Sequence, residues 1–441
     1  MSDAPHPPHT GPHGPPTHAD RTAPGDRDLD LVVWGATGFT GRLVAEAVAR
    51  RAPADLRWTV GGRDAAKLAA VVAGLPEGTT APQTPVVADA LDAESMRALA
   101  ERTRAVVSTV GPYARYGTPL VDACAAAGTD YADLTAEVPW MRRNVDVLHA
   151  RAGASGARIV HAAGFDSVPS DLGTWALQRA ALARHGRPCR EVVHLVGPAS
   201  GGVSGGTIQS GLDLLAAGAA DPTQRAALRD PDVLAPGGVA SRDPLGPVTP
   251  LRHPEVGGWS APFVMAAANA KVVRRTRFLA GEPWGDVGYL ERFVTPTWAR
   301  AMAIGAATAG TAAALAWGPA RRAAARLLPA PGDGPSARRR AGGFFRSTLI
   351  GTCPAGSGRT GPGYAGAGRA SEVRVRVAAN LDPGYDATAR MLAEMGLLFA
   401  AGESDAAGGV TTPALAGGEA YLARLAAVGV RVSVLEGDDR P

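Results

Sequence analysis

The apolar run LDLVVW (Leu29–Trp34) leads directly into Gly35-Ala36-Thr37-Gly38-Phe39-Thr40-Gly41, which opens an amphipathic stretch reaching about Arg51. No other feature limits the possible folds as strongly. Glycines at these positions let the backbone turn sharply off a strand and approach a ligand closely. The helix that follows offers free N–H groups and the positive end of its dipole to an anion. The spacing is GxxGxxG, an extended variant of the GxGxxG dinucleotide loop. Three glycines carry little weight in a chain that has 56. Between a strand and a helix, at the head of an alternating pattern, they specify a pyrophosphate cradle. A tight turn that holds no ligand is the alternative.

The alternation continues. LRWTV, TPVVAD, AVVSTV, YADLT and RIVHAA are short apolar runs, most of them separated by helical stretches. That pattern predicts a doubly wound parallel sheet over residues 29–165, a Rossmann-type α/β domain. With 441 residues a second domain is expected, and after Phe165 the texture changes towards Gly and Pro. Residues 166–380 are assigned to an α+β substrate domain, with mobile loops or a lid between Asp221 and Gly257. FFRSTLIGTC and SEVRVRVAAN are expected to form a hairpin. Residues 381–441 are expected to supply C-terminal helices that pack back on the first domain.

Ala301–Ala320 carries no charge and has transmembrane length, but its Ala and Gly content predicts a buried or interfacial helix rather than a span. Residues 1–28, rich in Pro, Gly and His, are expected to be a disordered tail with no signal-peptide core. His6, His9, His13 and His18 in it could bind a metal loosely or reflect composition alone, and no metal site is assigned. Three widely spaced cysteines argue against a disulfide framework or CxxC metal site and suit a reducing cytoplasm. A net charge of +4 gives no reason to expect nucleic-acid binding.

Cofactor choice is read at the end of the second strand, Val60-Gly61-Gly62-Arg63-Asp64. NAD enzymes place an acid there for the ribose 2′-hydroxyl. Glycine at that position avoids repelling a 2′-phosphate, and Arg63 offers a guanidinium fork to bind it, with Lys67 one turn on. NADPH is the expected cofactor. Asp64 reads as an N-cap. Asp89 is either an adenine-side contact or a turn carboxylate. The fourth strand ends at Gly111-Pro112-Tyr113, placing Gly111 and Pro112 beside the nicotinamide ribose.

GATGFTG, GGRDAAKL, STVGPYARYGTPLVDACAAAGTDYADLTAE and HAAGFDSVPSDLG together resemble the saccharopine dehydrogenase-like oxidoreductases. SGGVSGGT, APFVMAAANAKVVRRT and DPGYDATARMLAEMG resemble, within that group, the trans-acting enoyl reductase branch. The resemblance implies NADPH-linked reduction of a carbon–carbon double bond on a polyketide or lipid acyl intermediate, in some cases presented by an acyl-carrier domain. Three features depart from the family pattern: Ala136 where the family has Gly, the long CPAGSGRTGPGYAGAGRA turn, and the Pro-rich insert. The last two bear on substrate identity.

Such a reduction needs a proton source. Tyr113 and Tyr116 flank the expected nicotinamide edge, and either could instead be a packing residue. Asp166, in GFDSVPSD, follows a strand end where catalytic groups often sit, and it could equally be a cap. His161 reads as a buried strand residue. Ser200–Thr207 could polarise a thioester carbonyl through backbone N–H groups or be a simple connector. Lys271, Arg274, Arg275 and Arg277 could meet an acidic carrier domain or anionic lipid, or form a solvated face. Two other activities stay open: imine or carbonyl reduction, and non-catalytic NADPH binding at a membrane surface. The expected location is the cytoplasm, with peripheral contact at the inner face of the plasma membrane a further option. Oligomeric state is not readable.

Overall fold

The computed structural model describes residues 27–200, 218, 221–237, 249–281, 284, 287–316, 334–354 and 371–436. The N-terminal histidines, Gly201–Thr207 and the turn after Pro354 lie outside these.

The first domain runs β1 (Leu29–Trp34), α1 (Phe39–Arg51), β2 (Trp58–Gly62), α2 (Ala65–Ala73), β3 (Val86–Val87), α3 (Ala93–Glu101) and β4 (Thr103–Ser108). A helical turn α4 (Tyr113–Tyr116), α5 (Thr118–Ala127), β5 (Asp130–Asp133), α6 (Val138–Ser155) and β6 (Arg158–Val160) follow. The strands lie in the order β6-β5-β4-β1-β2-β3 and pair in parallel throughout. β1 is apolar on both faces because both are covered: Leu31 and Val33 enter one core, and Val32 and Trp34 the other. The order reverses between β1 and β4, so the crevice at their carboxyl ends is where a dinucleotide fits. Arg27 and Asp28, expected in the disordered tail, are anchored instead. Arg27 donates to the Thr103 carbonyl at 2.6 Å, and Asp28 pairs with Arg102.

The second unit comprises α7 (Val168–His185), β7 (Glu191–Ser200), α8 (Pro222–Arg229), β8 (Leu251–His253), β9 (Gly258–Pro262), α9 (Ala266–Ala280) and β10 (Gly288–Thr295). It continues through α10 (Trp298–Ala316), α11 (Ala337–Arg340), β11 (Phe344–Cys353) and β12 (Ser371–Ala379). β11 and β12 pair antiparallel from Phe345↔Ala379 to Cys353↔Ser371, the expected hairpin. In β12 the alternate residues Val373, Val375 and Val377 are buried against α7, as a one-sided sheet requires. β7 lies antiparallel to β11 and parallel to β10. α8 and β8 lie inside the Pro-rich insert expected to be loops, so part of that insert is regular structure.

The terminal segment is not helical alone. A π-type turn (Pro383–Ala387) and α12 (Thr388–Ala400) lead to β13 (Gly409–Thr411), α13 (Pro413–Ala427) and β14 (Arg431–Val434). β13 adds in parallel to β6 as the seventh strand of the first sheet, while β14 pairs with β12 at the edge of the second. α12 packs on α1, β4 and β5. The last 60 or so residues therefore tie the two sheets together.

One expectation is corrected and another narrowed. Cys189 and Cys353 are joined as a disulfide, and Cys124 is free and buried. The antiparallel pairing of β7 and β11 brings the two together across a separation of 164 residues, which spacing in the sequence does not reveal. Of the two readings of the apolar helix, buried or interfacial, the described part of α10 does not fit the buried one. Ala301 and Gly305 are buried where it packs on β9 and β10, and most of its other described side chains are exposed. Among the described residues, no helix is long and apolar enough to cross a membrane.

Candidate active site

The glycine-rich loop turns at the end of β1. Gly35 has φ +86°, and a side chain there would strike Val110. Gly41 is needed for close approach, since a Cβ would sit 2.2 Å from the Gly35 carbonyl oxygen. Gly38 differs: at φ −71° its added Cβ would meet only the Gly35 oxygen, at 3.4 Å. Gly38 caps α1, and no side-chain cap hydrogen bond occupies the helix start. The N–H groups of Phe39, Thr40 and Gly41 in the first turn therefore lack an i−4 partner and are available to an anion. The residues fit a pyrophosphate on this ground. Phe39 is held by Tyr385, edge-on at 4.9 Å, and by the Arg340 guanidinium at 5.3 Å. Arg340 in turn pairs with Asp386 at 3.0 Å. Sequence reading missed this support because it comes from residues some 300 positions away.

At the end of β2, a side chain on Gly61 would collide with Trp34 at 2.5 Å, so packing alone accounts for that glycine. Gly62 has room: the nearest atoms to an added Cβ are Leu68 at 3.7 Å and Thr37 at 3.8 Å, which directs position 62 towards the glycine-rich loop. An acid there would face the cradle, and its absence is not forced by packing. Arg63 is exposed. Lys67 pairs with Asp64 at 3.6 Å, and Asp64 caps α2 through the Lys67 amide at 3.0 Å, as the sequence indicated. Asp89 is exposed, and its carboxylate accepts the Leu91 amide at 2.9 Å, the geometry of a turn carboxylate.

At the end of β4, Gly111 is exposed and joined to Pro112 by a cis peptide bond. Glu137 closes the turn that follows, accepting the Tyr113 and Ala114 amides at 2.9 and 2.7 Å. The Tyr113 side chain turns inward. It is buried, donates to the Ser108 carbonyl at 3.1 Å and accepts from the Leu134 amide at 3.3 Å. Burial, with Asp133 nearby, pushes its hydroxyl well above the usual tyrosine range. This corrects the expectation of a proton donor at position 113, because the phenol is committed to the core. Tyr113→Phe is expected to cost about 1–2 kcal/mol of stability, from the unsatisfied Leu134 amide, and to leave turnover unchanged. Denaturant unfolding beside steady-state kinetics checks it, and a variant of native stability with slowed turnover would restore the tyrosine as a donor. Tyr116 is half-buried beneath the Arg115 guanidinium at 5.1 Å.

Beyond β6 the chain passes through Phe165 and Asp166 into α7. Both residues line a narrow cleft, open in part to solvent, with Pro169, Ser170, His194, Val196, Phe263, Glu291, Phe345 and Arg346. Asp166 lies near the buried Glu291. Desolvation, then the Glu291 charge, raises its carboxyl from 3.8 to about 6. A carboxyl raised in the folded state contributes stability present below pH 4 and lost as pH rises through 6. Asp166→Asn should therefore be more stable than the parent at pH 8 by roughly 1–3 kcal/mol, with the gap closing near pH 4. Thermal unfolding at both pH values tests this, and a gap independent of pH contradicts it.

The basic run on α9 is corrected. Lys271, Arg274, Arg275 and Arg277 are all buried. Arg275 donates to the carbonyls of Val410 at 3.2 Å and Leu234 at 2.5 Å, Arg274 to Pro231 at 3.1 Å and Arg277 to Val287 at 3.3 Å. These cations are turned to backbone carbonyls in and around α9, so these four residues do not form a solvated basic face. His161 is buried between Asp133 at 2.8 Å and Asn144 at 3.1 Å, a core histidine.

The fold and the cradle define an NAD(P)H-dependent oxidoreductase built on a Rossmann-type domain. Residues 31–160 match the saccharopine dehydrogenase NADP binding domain family. A relative from Mycobacterium tuberculosis is 39% identical over 431 residues, covering 92% of this chain and 97% of its own. The trans-acting enoyl reductase of Mycobacterium leprae is 36% identical over 428 residues, with 92% and 98% covered. In fold, the apo saccharopine dehydrogenase (L-Glu forming) from Saccharomyces cerevisiae aligns with a TM-score of 0.52 at 12% identity, over 92% of this chain and 99% of that one. The chain belongs to the saccharopine dehydrogenase-like oxidoreductases, in the family of the trans-acting enoyl reductases.

Proposed function

We propose that this chain reduces the carbon–carbon double bond of an enoyl thioester with NADPH, the acyl group being a polyketide or lipid intermediate presented by another protein. One observation carries the reading: the glycine-rich loop follows the carboxyl end of β1, and Phe165 and Asp166, which line the cleft, follow the carboxyl end of β6 in the same parallel sheet. A dinucleotide laid across that edge from Gly35 to Gly111 would direct its nicotinamide end towards β5 and β6. Bound NADPH supplies the hydride. The chain's own residues supply the rest. The α1 N-terminus holds the pyrophosphate, Arg63 binds the 2′-phosphate, and Phe165, Val196, Phe263 and Phe345 give an acyl chain an apolar lining. The relatives' names agree with this reaction.

Crotonyl-pantetheine, a small enoyl thioester, is the probe. The purified chain should convert it to the butyryl thioester while consuming NADPH, and NADH should support the reaction less well. Turnover of an imine or ketone with none of the enoyl thioester would overturn the reading.

A further inference from the structure

His194 stands on β7 directly opposite Glu291 on β10, the two being register partners in the parallel pair. Both side chains are buried. Nδ1 of the imidazole lies 3.1 Å from the Tyr289 hydroxyl and 3.4 Å from Oε1 of Glu291. Tyr289 donates to Oε2 of Glu291 at 3.1 Å. With that hydroxyl proton on the carboxylate, Nδ1 carries a hydrogen and donates to the tyrosine oxygen. Glu291 is fixed further by Ser170 and Asn269, each donating to Oε1 at 3.1 Å, and the Asn269 oxygen accepts from Ser167 at 2.9 Å. The other ring nitrogen is different. Nε2 of His194 is buried and has no hydrogen-bond partner, and the residue lines the cleft that holds Asp166. A buried polar atom left unsatisfied costs about 1–3 kcal/mol, so its position calls for a ligand.

Resting on the reading above, we infer that His194 is the catalytic acid of the cleft: Nε2 meets the thioester carbonyl oxygen, and Glu291 is the positioning residue that holds the imidazolium. The proton half of the reduction then balances. As hydride adds to the β-carbon, the alkene π pair becomes the new bond between the α-carbon and the carbonyl carbon, and the carbonyl π pair moves onto oxygen. The Nε2–H bond breaks, an O–H bond forms, and the electron pair stays on the imidazole. The enol returns that proton equivalent to the α-carbon by exchange with water, which also reprotonates His194. The neutral imidazole left behind keeps its Nδ1 hydrogen on Tyr289, so no buried group is stranded. The charged or titratable groups facing the ring are Glu291, Tyr289 and, in the same cleft, Asp166 and Arg346. Asp166, raised to about 6, does not add a full negative charge at low pH. This arrangement assigns the acid to the second sheet, away from the tyrosines of the β4 turn.

The test uses the full chain and His194→Gln, with Glu291→Gln as the second variant. Butyryl-pantetheine affinity is measured by calorimetry in the presence of NADP⁺, and crotonyl-pantetheine kcat and KM are measured separately. His194→Gln should lower kcat by about 100-fold or more and leave NADPH affinity unchanged. Glu291→Gln should lower kcat while leaving the KM for crotonyl-pantetheine unchanged, because the ring is held less firmly while the carbonyl contact stays with His194. Native turnover in His194→Gln overturns the assignment. If the parent reduces only an imine or ketone, the enoyl reading fails, and the same variant judged on that acceptor still decides the role of His194. If the parent turns over none of these, an undiminished butyryl-pantetheine affinity in His194→Gln overturns it. A loss of that affinity alongside native thermal unfolding supports it.

Discussion

Gly38→Asp is expected to weaken NADPH binding by at least ~100-fold, a loss of about 2.7 kcal/mol, while the chain stays folded. The two halves of this expectation come from one position. Residue 38 has an ordinary φ of −71°, and a Cβ there meets only the Gly35 oxygen at 3.4 Å, so the backbone accepts a side chain. Aspartate is also a favourable N-cap, so α1 loses nothing. The carboxylate would sit where the first-turn N–H groups are otherwise open and would compete for them with the pyrophosphate, adding repulsion between like charges. Gly41 would not serve, since any Cβ there enters the Gly35 backbone and misfolding would mask the result. Fluorescence titration beside circular dichroism reads both halves. A folded Gly38→Asp with native affinity would remove the cradle from the account.

The second large effect concerns cofactor choice. The exposed Arg63 follows Gly62, the position whose side chain would point to Thr37 in the glycine-rich loop. A guanidinium bond to a 2′-phosphate contributes roughly 1.5–3 kcal/mol, or one to two powers of ten in affinity. The parent should bind NADPH more tightly than NADH, and Arg63→Ala should erode the preference chiefly by weakening NADPH. Lys67 is paired with Asp64 in an exposed, screened contact and can supply residual discrimination. Gly62→Asp, which the packing admits, should push the preference further towards NADH. Equal affinities in the parent, or an intact preference in Arg63→Ala, would defeat the assignment.

The parts of this molecule that were legible in the sequence are those whose signals are local. LDLVVW followed by GATGFTG marks β1, the turn and α1 because strand, turn and helix start lie within a few residues of one another. Asp64 was readable as a cap for the same reason. Tyr113 was not, because its turn position says nothing about which way the side chain points, and Glu137, 24 residues on, turns the helix start so that the phenol goes inward. The α9 cations were misjudged because charge in a sequence does not report burial. Only the fold shows that Arg275 reaches the carbonyl of Val410, 135 residues away. β13 is three residues long and gains its identity from pairing with β6. The dyad of His194 and Glu291 depends on the register of two parallel strands, to which no local periodicity points.

The central claim is that hydride passes from NADPH to the β-carbon of an enoyl thioester in this cleft. The most direct measurement is a single turnover with NADPH deuterated at C4 in each of its two stereochemical forms, with crotonyl-pantetheine as acceptor and the product read by mass spectrometry and NMR. The account predicts butyryl-pantetheine carrying one deuterium at the β-carbon from one of the two forms, with the α-carbon hydrogen drawn from water. Deuterium at the α-carbon, deuterium at a carbonyl carbon, or no transfer from either form would contradict it.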